Sequence, residues 1–295
     1  AGKLLLGRHI LLTEEQISNL EFLGFPGVYV DDEFSRGIEI QQIVSPEVRR
    51  QALKIVYDLF HTDMRKQEPS EAEFKLRKTV ESVVDDVICN GDIMCNIMDI
   101  KSYDDYIYYH SIHVGILSVV VGARLGLPHD ELCQLAAAAL LHDIGKRFID
   151  HDIVRGGKAH RSEEEQEVYR SHPKIGAEYM RETCRFSADV YEGIMEHHEC
   201  YNGEGYPLGK KGGEIHLFAR IIRIADCYDA QVSAFPAQKS LSPSEALEYV
   251  MALGDRWFDP DIVAVFARKV AAYPIGCEVE LSNGQHAVVA RNFEN

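Results

Sequence analysis

The apolar run Ala136-Ala137-Ala138-Ala139-Leu140-Leu141 is followed at once by His142-Asp143-Ile144-Gly145-Lys146. Such a run packs inside a protein, so it carries an ionisable carboxylate to the inner end of a helix. There Asp143 must be paired or must bind a cation, because a bare buried charge is far too costly. His with Asp is a ligand pair suited to divalent iron, manganese or zinc. A helix-end ion pair between Asp143 and Lys146 is the alternative.

Other histidines fall in similar settings. His110 lies on the stripe Ile107, His110, Val114, Leu117, Val121, whose steps of three and four place it on the apolar face of a helix. On its own it reads equally as a packed core histidine. His172 in "HPKIG", His197-His198 in "HHE" and Asp226 in "RIADCYDA" each lie in or beside an apolar helical segment. Five segments that each bring His or Asp inward favour one converging metal site, since every unpaired buried polar group costs about 2 to 7 kcal/mol. Adjacent histidines on a helix cannot point the same way, but they can serve two metals lying side by side.

Other chemistries are excluded by spacing. "HHECYN" is not H-E-x-x-H, so a zincin site fails. "GEGYPLG" follows no strand and has Pro207 where a dinucleotide-binding helix needs backbone donors. The chain has neither a P-loop lysine motif nor G-x-S-x-G. Its 31 Lys and Arg against 47 Asp and Glu give a charge of −16, which disfavours adhesion to DNA, RNA or anionic lipid. Seven scattered cysteines without C-x-x-C indicate neither a disulfide framework nor a thiolate zinc site. No run approaches the roughly 20 apolar residues of a membrane span, and Ala1 to Thr13 lacks the order of a signal peptide, so the cytoplasm is the expected compartment. The start at Ala1-Gly2 raises the expectation of further residues upstream, a sensory or membrane segment among them.

The fold expected is mainly α. Residues 1–43 read as a small α/β unit: the run "KLLLGRHILL" as a first strand, a helix capped by Thr13, then the strand "VYVDD". Residues 44–99 read as helices, one opened by Pro46 and one spanning Ser70 to Asp99. Residues 100–273 form a helical bundle, in which "SEEEQEVYRSHPKIGAEYM" begins with Ser162 in a capping box. Residues 274–295 read as a β-hairpin around Asn283-Gly284.

The set His142-Asp143-Ile144-Gly145-Lys146, His172-Pro173, His197-His198-Glu199, Gly205-Tyr206-Pro207 and Asp226-Cys227-Tyr228-Asp229-Ala230 resembles the HD-GYP family of bacterial cyclic-di-nucleotide phosphodiesterases. The resemblance covers about residues 100 to 272, with five motifs in the family's order and spacing. It implies an HD-domain bundle that hydrolyses cyclic di-GMP to pGpG and on to GMP. The implied ligands are His110, His142, Asp143, His172, His197, His198 and Asp226, with Asp143 bridging two divalent metals, iron or manganese; zinc and nickel also suit these ligands. Two such metals would activate a shared hydroxide as nucleophile, with Asp143 and Lys146 as catalytic residues. Members with a third metal carry a glutamate where this chain has Tyr106, so two metals are expected.

Lys146, Tyr206, Arg223 and Phe235 are the expected substrate contacts. Phe235 stands where the family pattern Ser-x-Arg-Pro-Tyr-Arg has its first arginine. Losing that charged hydrogen-bond partner would cost about 1.5 to 3 kcal/mol, which makes a mixed cyclic GMP-AMP the alternative substrate. A weakly catalytic signalling module is a further alternative. A GGDEF-type diguanylate cyclase and a second copy of the chain are the expected protein partners.

Overall fold

Apolar residues recur at three- and four-residue steps along most of the chain, and helices result. The computed structural model describes residues 10–22, 32–33, 35–66, 69–91, 93–95, 106–156, 161–233 and 240–293. In chain order the helices are α1 (Glu14–Phe22), α2 (Pro46–His61), α3 (Pro69–Cys89), α4 (Tyr106–Arg124), α5 (His129–Leu141), α6 (His151–Arg155), α7 (Glu163–Arg170), α8 (His172–Thr183), α9 (Ala188–Glu196), α10 (Leu217–Val232), α11 (Pro243–Ala252) and α12 (Pro260–Lys269). Strands β1 (Glu278–Glu280) and β2 (His286–Val288) follow.

Helix α4 forms the axis of the bundle and is buried on every face from His110 to Gly122. Among the described residues it is the one helix long and apolar enough to cross a membrane, and 72% of that stretch is buried inside the protein. Helices α5 and α10 pack along it, α2 and α3 cover it, and α8 and α9 close the end that carries His110 and His142. One continuous apolar core runs from Ile43 and Val44 through α2 to α5 and on to Phe266 and Val270.

Polar punctuation sets the helix ends. Ser45, Ser162 and Ser242 each accept a backbone N–H from the first turn of their helix, and Ser162 and Ser242 form reciprocal capping boxes with Glu165 and Glu245. At α1, Thr13 and Gln16 bond each other reciprocally. The strands expected on either side of α1 fall largely on residues 3–9 and 28–31, outside the described residues. The C-terminal hairpin forms as expected, with Glu280 opposite His286.

Two helices are shorter than their periodicity suggests. The expected helix from Ser70 to Asp99 ends at Cys89, because the Asn90 side chain bonds back to the Asp86 and Ile43 carbonyls and Gly91 follows. The chain then turns so that Cys95 makes a parallel bridge with Val270. The segment from Ser162 to Met180 breaks at Ser171 into α7 and α8. Pro173 causes the break, since it lacks an N–H and its ring clashes with the preceding turn.

The turn carrying Asp143 lies hard against the start of α8. A Cβ on Gly145 would sit 2.0 Å from the His172 carbonyl oxygen and 2.7 Å from the Gly176 nitrogen, both backbone atoms that cannot yield. Gly145→Ala is therefore expected to destabilise the protein by about 3 kcal/mol, the upper end of the usual cost of overpacking, measured by denaturant unfolding. A change below about 1 kcal/mol would show that this contact is not tight.

Candidate metal centre

An α-helix leaves its last carbonyls without intrahelical partners. Three histidines use them. His142 caps α5 with Nδ1 2.7 Å from the Ala139 oxygen. His172, two residues past the end of α7, has Nδ1 2.7 Å from the Tyr169 oxygen. His197 caps α9 with Nδ1 2.7 Å from the Ile194 oxygen. A carbonyl only accepts, so each Nδ1 carries a proton, and the tautomer so fixed is the one whose lone pair lies on Nε2.

The three Nε2 atoms converge on one carboxylate. Asp143 Oδ1 lies 3.2 Å from His172 Nε2 and 3.8 Å from His197 Nε2, and Oδ2 lies 3.5 Å from His142 Nε2. From α4, His110 places Nε2 3.2 Å from Asp226 Oδ1 and 3.9 Å from Asp143 Oδ2. His198 follows His197 beyond the helix end, with Nδ1 3.8 Å from Asp226 Oδ2. The structure thus brings together all seven residues expected from the sequence. Two ligand groups result, His110-His142-Asp143 and Asp143-His172-His197-His198, each within 4.8 Å and sharing Asp143.

Three buried polar atoms in this cluster have no hydrogen-bond partner: His142 Nε2, Asp143 Oδ1 and His198 Nε2. Leaving each unsatisfied costs about 1 to 3 kcal/mol, and a cation between them would remove that cost. The all-nitrogen and oxygen donor set suits divalent transition metals. The ion pair offered as an alternative also forms, with Lys146 Nζ 2.5 Å from Asp143 Oδ2. It engages one oxygen and leaves the unpartnered imidazoles unexplained.

The charge states of Asp143, His142, His197 and His198 agree with coordination, whereas His110 is held protonated by its two carboxylate partners, a proton that a cation on Nε2 would displace. Burial works against a charged Asp143, yet Lys146, His142 and His172 hold its pKa well below the usual carboxylate range. Burial likewise opposes the Lys146 ammonium, and Asp143 overrides it and keeps the lysine charged. Burial pushes His142 down, and His197 and His198 further, so these rings are neutral. At His110 burial is outweighed by hydrogen bonds to Asp226 and Asp229, which carry its pKa up to about 9.

The expected substrate contacts divide. Lys146 sits at the mouth with a side chain 13% exposed. The Tyr206 ring stacks on His198 at 4.8 Å, and the Arg170 guanidinium lies over the same ring, 5.4 Å from its centre. Arg223 is held 3.6 Å from Asp226 Oδ2 beside the Trp257 and Phe258 rings, as a half-buried partner of the cluster. Phe235 lies outside the described residues. Tyr106 stacks on His110 at 5.3 Å, filling the place beside that ligand with an aromatic face.

Glu199 takes no part in the ligand groups. Its carboxylate accepts the backbone N–H groups of Leu208, Gly209 and Lys210 at 2.6, 3.1 and 3.1 Å. Neighbouring Glu196 binds Lys210 Nζ and the His216 N–H. Together they fasten the Gly205-Tyr206-Pro207 loop over His198. Gly205 is required there, since a Cβ would lie 2.2 Å from the Cys200 nitrogen. Sequence reasoning missed Asp229 and His113 as partners of the centre. Asp229 Oδ2 lies 2.7 Å from His110 Nδ1 and Oδ1 lies 2.8 Å from His113 Nδ1. The available signal was spacing: His113 and Asp229 each lie three residues past a ligand, on the same helix face.

Residues 96–262 match the HD domain family. The chain is 33% identical over 211 residues to a cyclic di-GMP phosphodiesterase of Pseudomonas aeruginosa, covering 71% of this chain and 50% of that protein. It is 38% identical over 151 residues to the cyclic di-GMP phosphodiesterase response regulator RpfG of Xanthomonas campestris, covering 50% and 39%. The chain thus spans half the length, or less, of these curated relatives. Its fold is similar to that of an HDG"Y"P protein from Bdellovibrio bacteriovorus, with a TM-score of 0.60 at 19% identity over 75% of this chain and 69% of that one. By the family match, the helical architecture and the His and Asp cluster together, this chain belongs to the HD domain family.

Proposed function

We propose that the chain is a metal-dependent phosphodiesterase that opens cyclic di-GMP to linear pGpG and cleaves onward to GMP. The observation that carries this reading is the sharing of Asp143 between two groups of buried histidines. The relatives named as cyclic di-GMP phosphodiesterases support the substrate class. Two divalent cations, iron or manganese, held by His110, His142, Asp143 and Asp226 on one side and His172, His197, His198 and Asp143 on the other, would supply Lewis-acid activation of water and of the phosphodiester.

The remaining work falls to the chain's own groups. Lys146 is charged and reaches the mouth, so it can donate to a non-bridging phosphate oxygen. The Tyr206 hydroxyl keeps its proton, because burial pushes its pKa up, and it can serve as a hydrogen-bond donor beside His198. Glu199 holds the loop that presents it. Arg223 neutralises Asp226 and so moderates the negative charge an anionic substrate meets. All seven cysteines are free thiols, which supports a reducing, cytoplasmic setting.

Protein loaded anaerobically with ferrous or manganous ion is expected to release pGpG or GMP from cyclic di-GMP. Running the mixed cyclic GMP-AMP in parallel ranks the two substrates, and no product from either would sink the reading. Asp143→Ala should lose both metals and lower kcat/KM on the order of a hundredfold or more, since ligand loss exceeds the effect of outer-shell changes. Lys146→Met should retain metal and lower kcat/KM by roughly ten- to a hundredfold, the value of one charged hydrogen bond. Glu199→Ala should speed amide exchange at Leu208, Gly209 and Lys210 and raise KM with metal content intact. Unchanged exchange there would remove Glu199 from the loop's support.

A further inference from the structure

The histidines of the centre are not oriented alike. His142, His172 and His197 all donate Nδ1–H to a neutral carbonyl at a helix end. His110 cannot do so, because it lies inside α4, where the preceding carbonyls are already engaged in the helix ladder. Its Nδ1 instead meets the fully buried carboxylate of Asp229 at 2.7 Å. The second oxygen of Asp229 takes His113 Nδ1 at 2.8 Å, and Ser233 Oγ donates to the carboxylate at 3.3 Å.

One turn of α4 is thereby keyed to one turn of α10. His110 and His113 share a face of α4, and Asp226 and Asp229 share a face of α10. The His110 ring is gripped on both sides, Nε2 by Asp226 and Nδ1 by Asp229. An anionic acceptor behind an imidazole makes its other nitrogen a stronger donor than a carbonyl does. The two halves of the centre differ in charge as well. The half containing His110 and His142 has Asp143 and Asp226 in contact and Asp229 behind them, whereas the half containing His172, His197 and His198 has the shared Asp143 and meets Asp226 only at 3.8 Å from His198, with no carboxylate behind its rings.

We propose that Asp229, clamped by His113, is a positioning residue that makes the His110 half the tighter of the two cation sites and the first to fill. This rests on the reading of the cluster as a dinuclear metal centre. Asp229 touches neither cation nor substrate; it acts through His110, by fixing the ring's tautomer and aim.

The test is titration of metal-stripped, full-length protein with Mn²⁺, following free ion by electron paramagnetic resonance. The unaltered protein should take up two equivalents in a tight and a weaker phase. Asp229→Asn should weaken the tight phase by roughly ten- to a hundredfold and leave the weaker one in place. His172→Ala should do the reverse, losing the weaker phase and keeping the tight one. Circular dichroism and thermal unfolding check that each variant is folded. Should Asp229→Asn fail to fold, His113→Leu replaces it, and it should weaken the tight phase while Asp229 is retained. A folded Asp229→Asn or His113→Leu protein with an unaltered tight phase, or one that loses the weaker phase instead, would overturn the inference. Uptake of less than one equivalent by the unaltered protein would instead overturn the metal-centre reading itself.

Discussion

Three helix-end carbonyls, each taking the Nδ1–H of the histidine three residues later, set the geometry on which the centre depends. The Ala139, Tyr169 and Ile194 oxygens lie in the last turns of their helices, where carbonyls lack the regular partner four residues on. Each is satisfied by a histidine, and each bond fixes both the tautomer and the direction of a ring. The helices must therefore end where they do. Pro173 breaks the segment at Ser171, which allows His172 to follow the end of α7 and begin α8. A continuous helix through Ser171 would have kept the Tyr169 carbonyl within its ladder.

The cluster is costly to the fold. Asp143, His142, His172 and His197 are at most 1% exposed, and the surrounding core is largely apolar. Burial disfavours a charged carboxylate, and the cost is offset locally by Lys146 and the surrounding imidazoles. A group of ligands this dry gains what its electrostatics can supply, because little solvent screens it. The rigid packing of α4, α5 and α10 resists relaxation that would let the polar atoms find other partners.

The glycine-rich loop that follows the paired histidines is held by ordinary carboxylate chemistry. Glu199 gathers three consecutive backbone donors, and Glu196 secures the lysine at the end of the same turn. Tyr206 is left stacked on His198, so the mouth of the site and one of its candidate ligands are built as a single unit. Nothing in that arrangement requires a phosphate-binding glycine cradle.

Much of this was legible in the residues. Periodicity determined the helical architecture, since a three- and four-residue repeat of apolar side chains has few other ways to be buried. The apolar run before His142-Asp143 determined that this pair would be internal, and the burial of His110, His172 and His197 followed from the same pattern. Spacing along the chain could not reveal which groups face each other across helices. His110 meets Asp229 over a separation of 119 residues, and that pairing exists only because α4 and α10 cross with those turns in register. Nor could spacing show that α3 stops at Cys89, where one asparagine side chain captures the carbonyls of Ile43 and Asp86. Local periodicity set which residues are inside; the packing of whole helices decided their partners, because a hydrogen bond needs two atoms within about 3 Å and only tertiary structure brings distant ones that close.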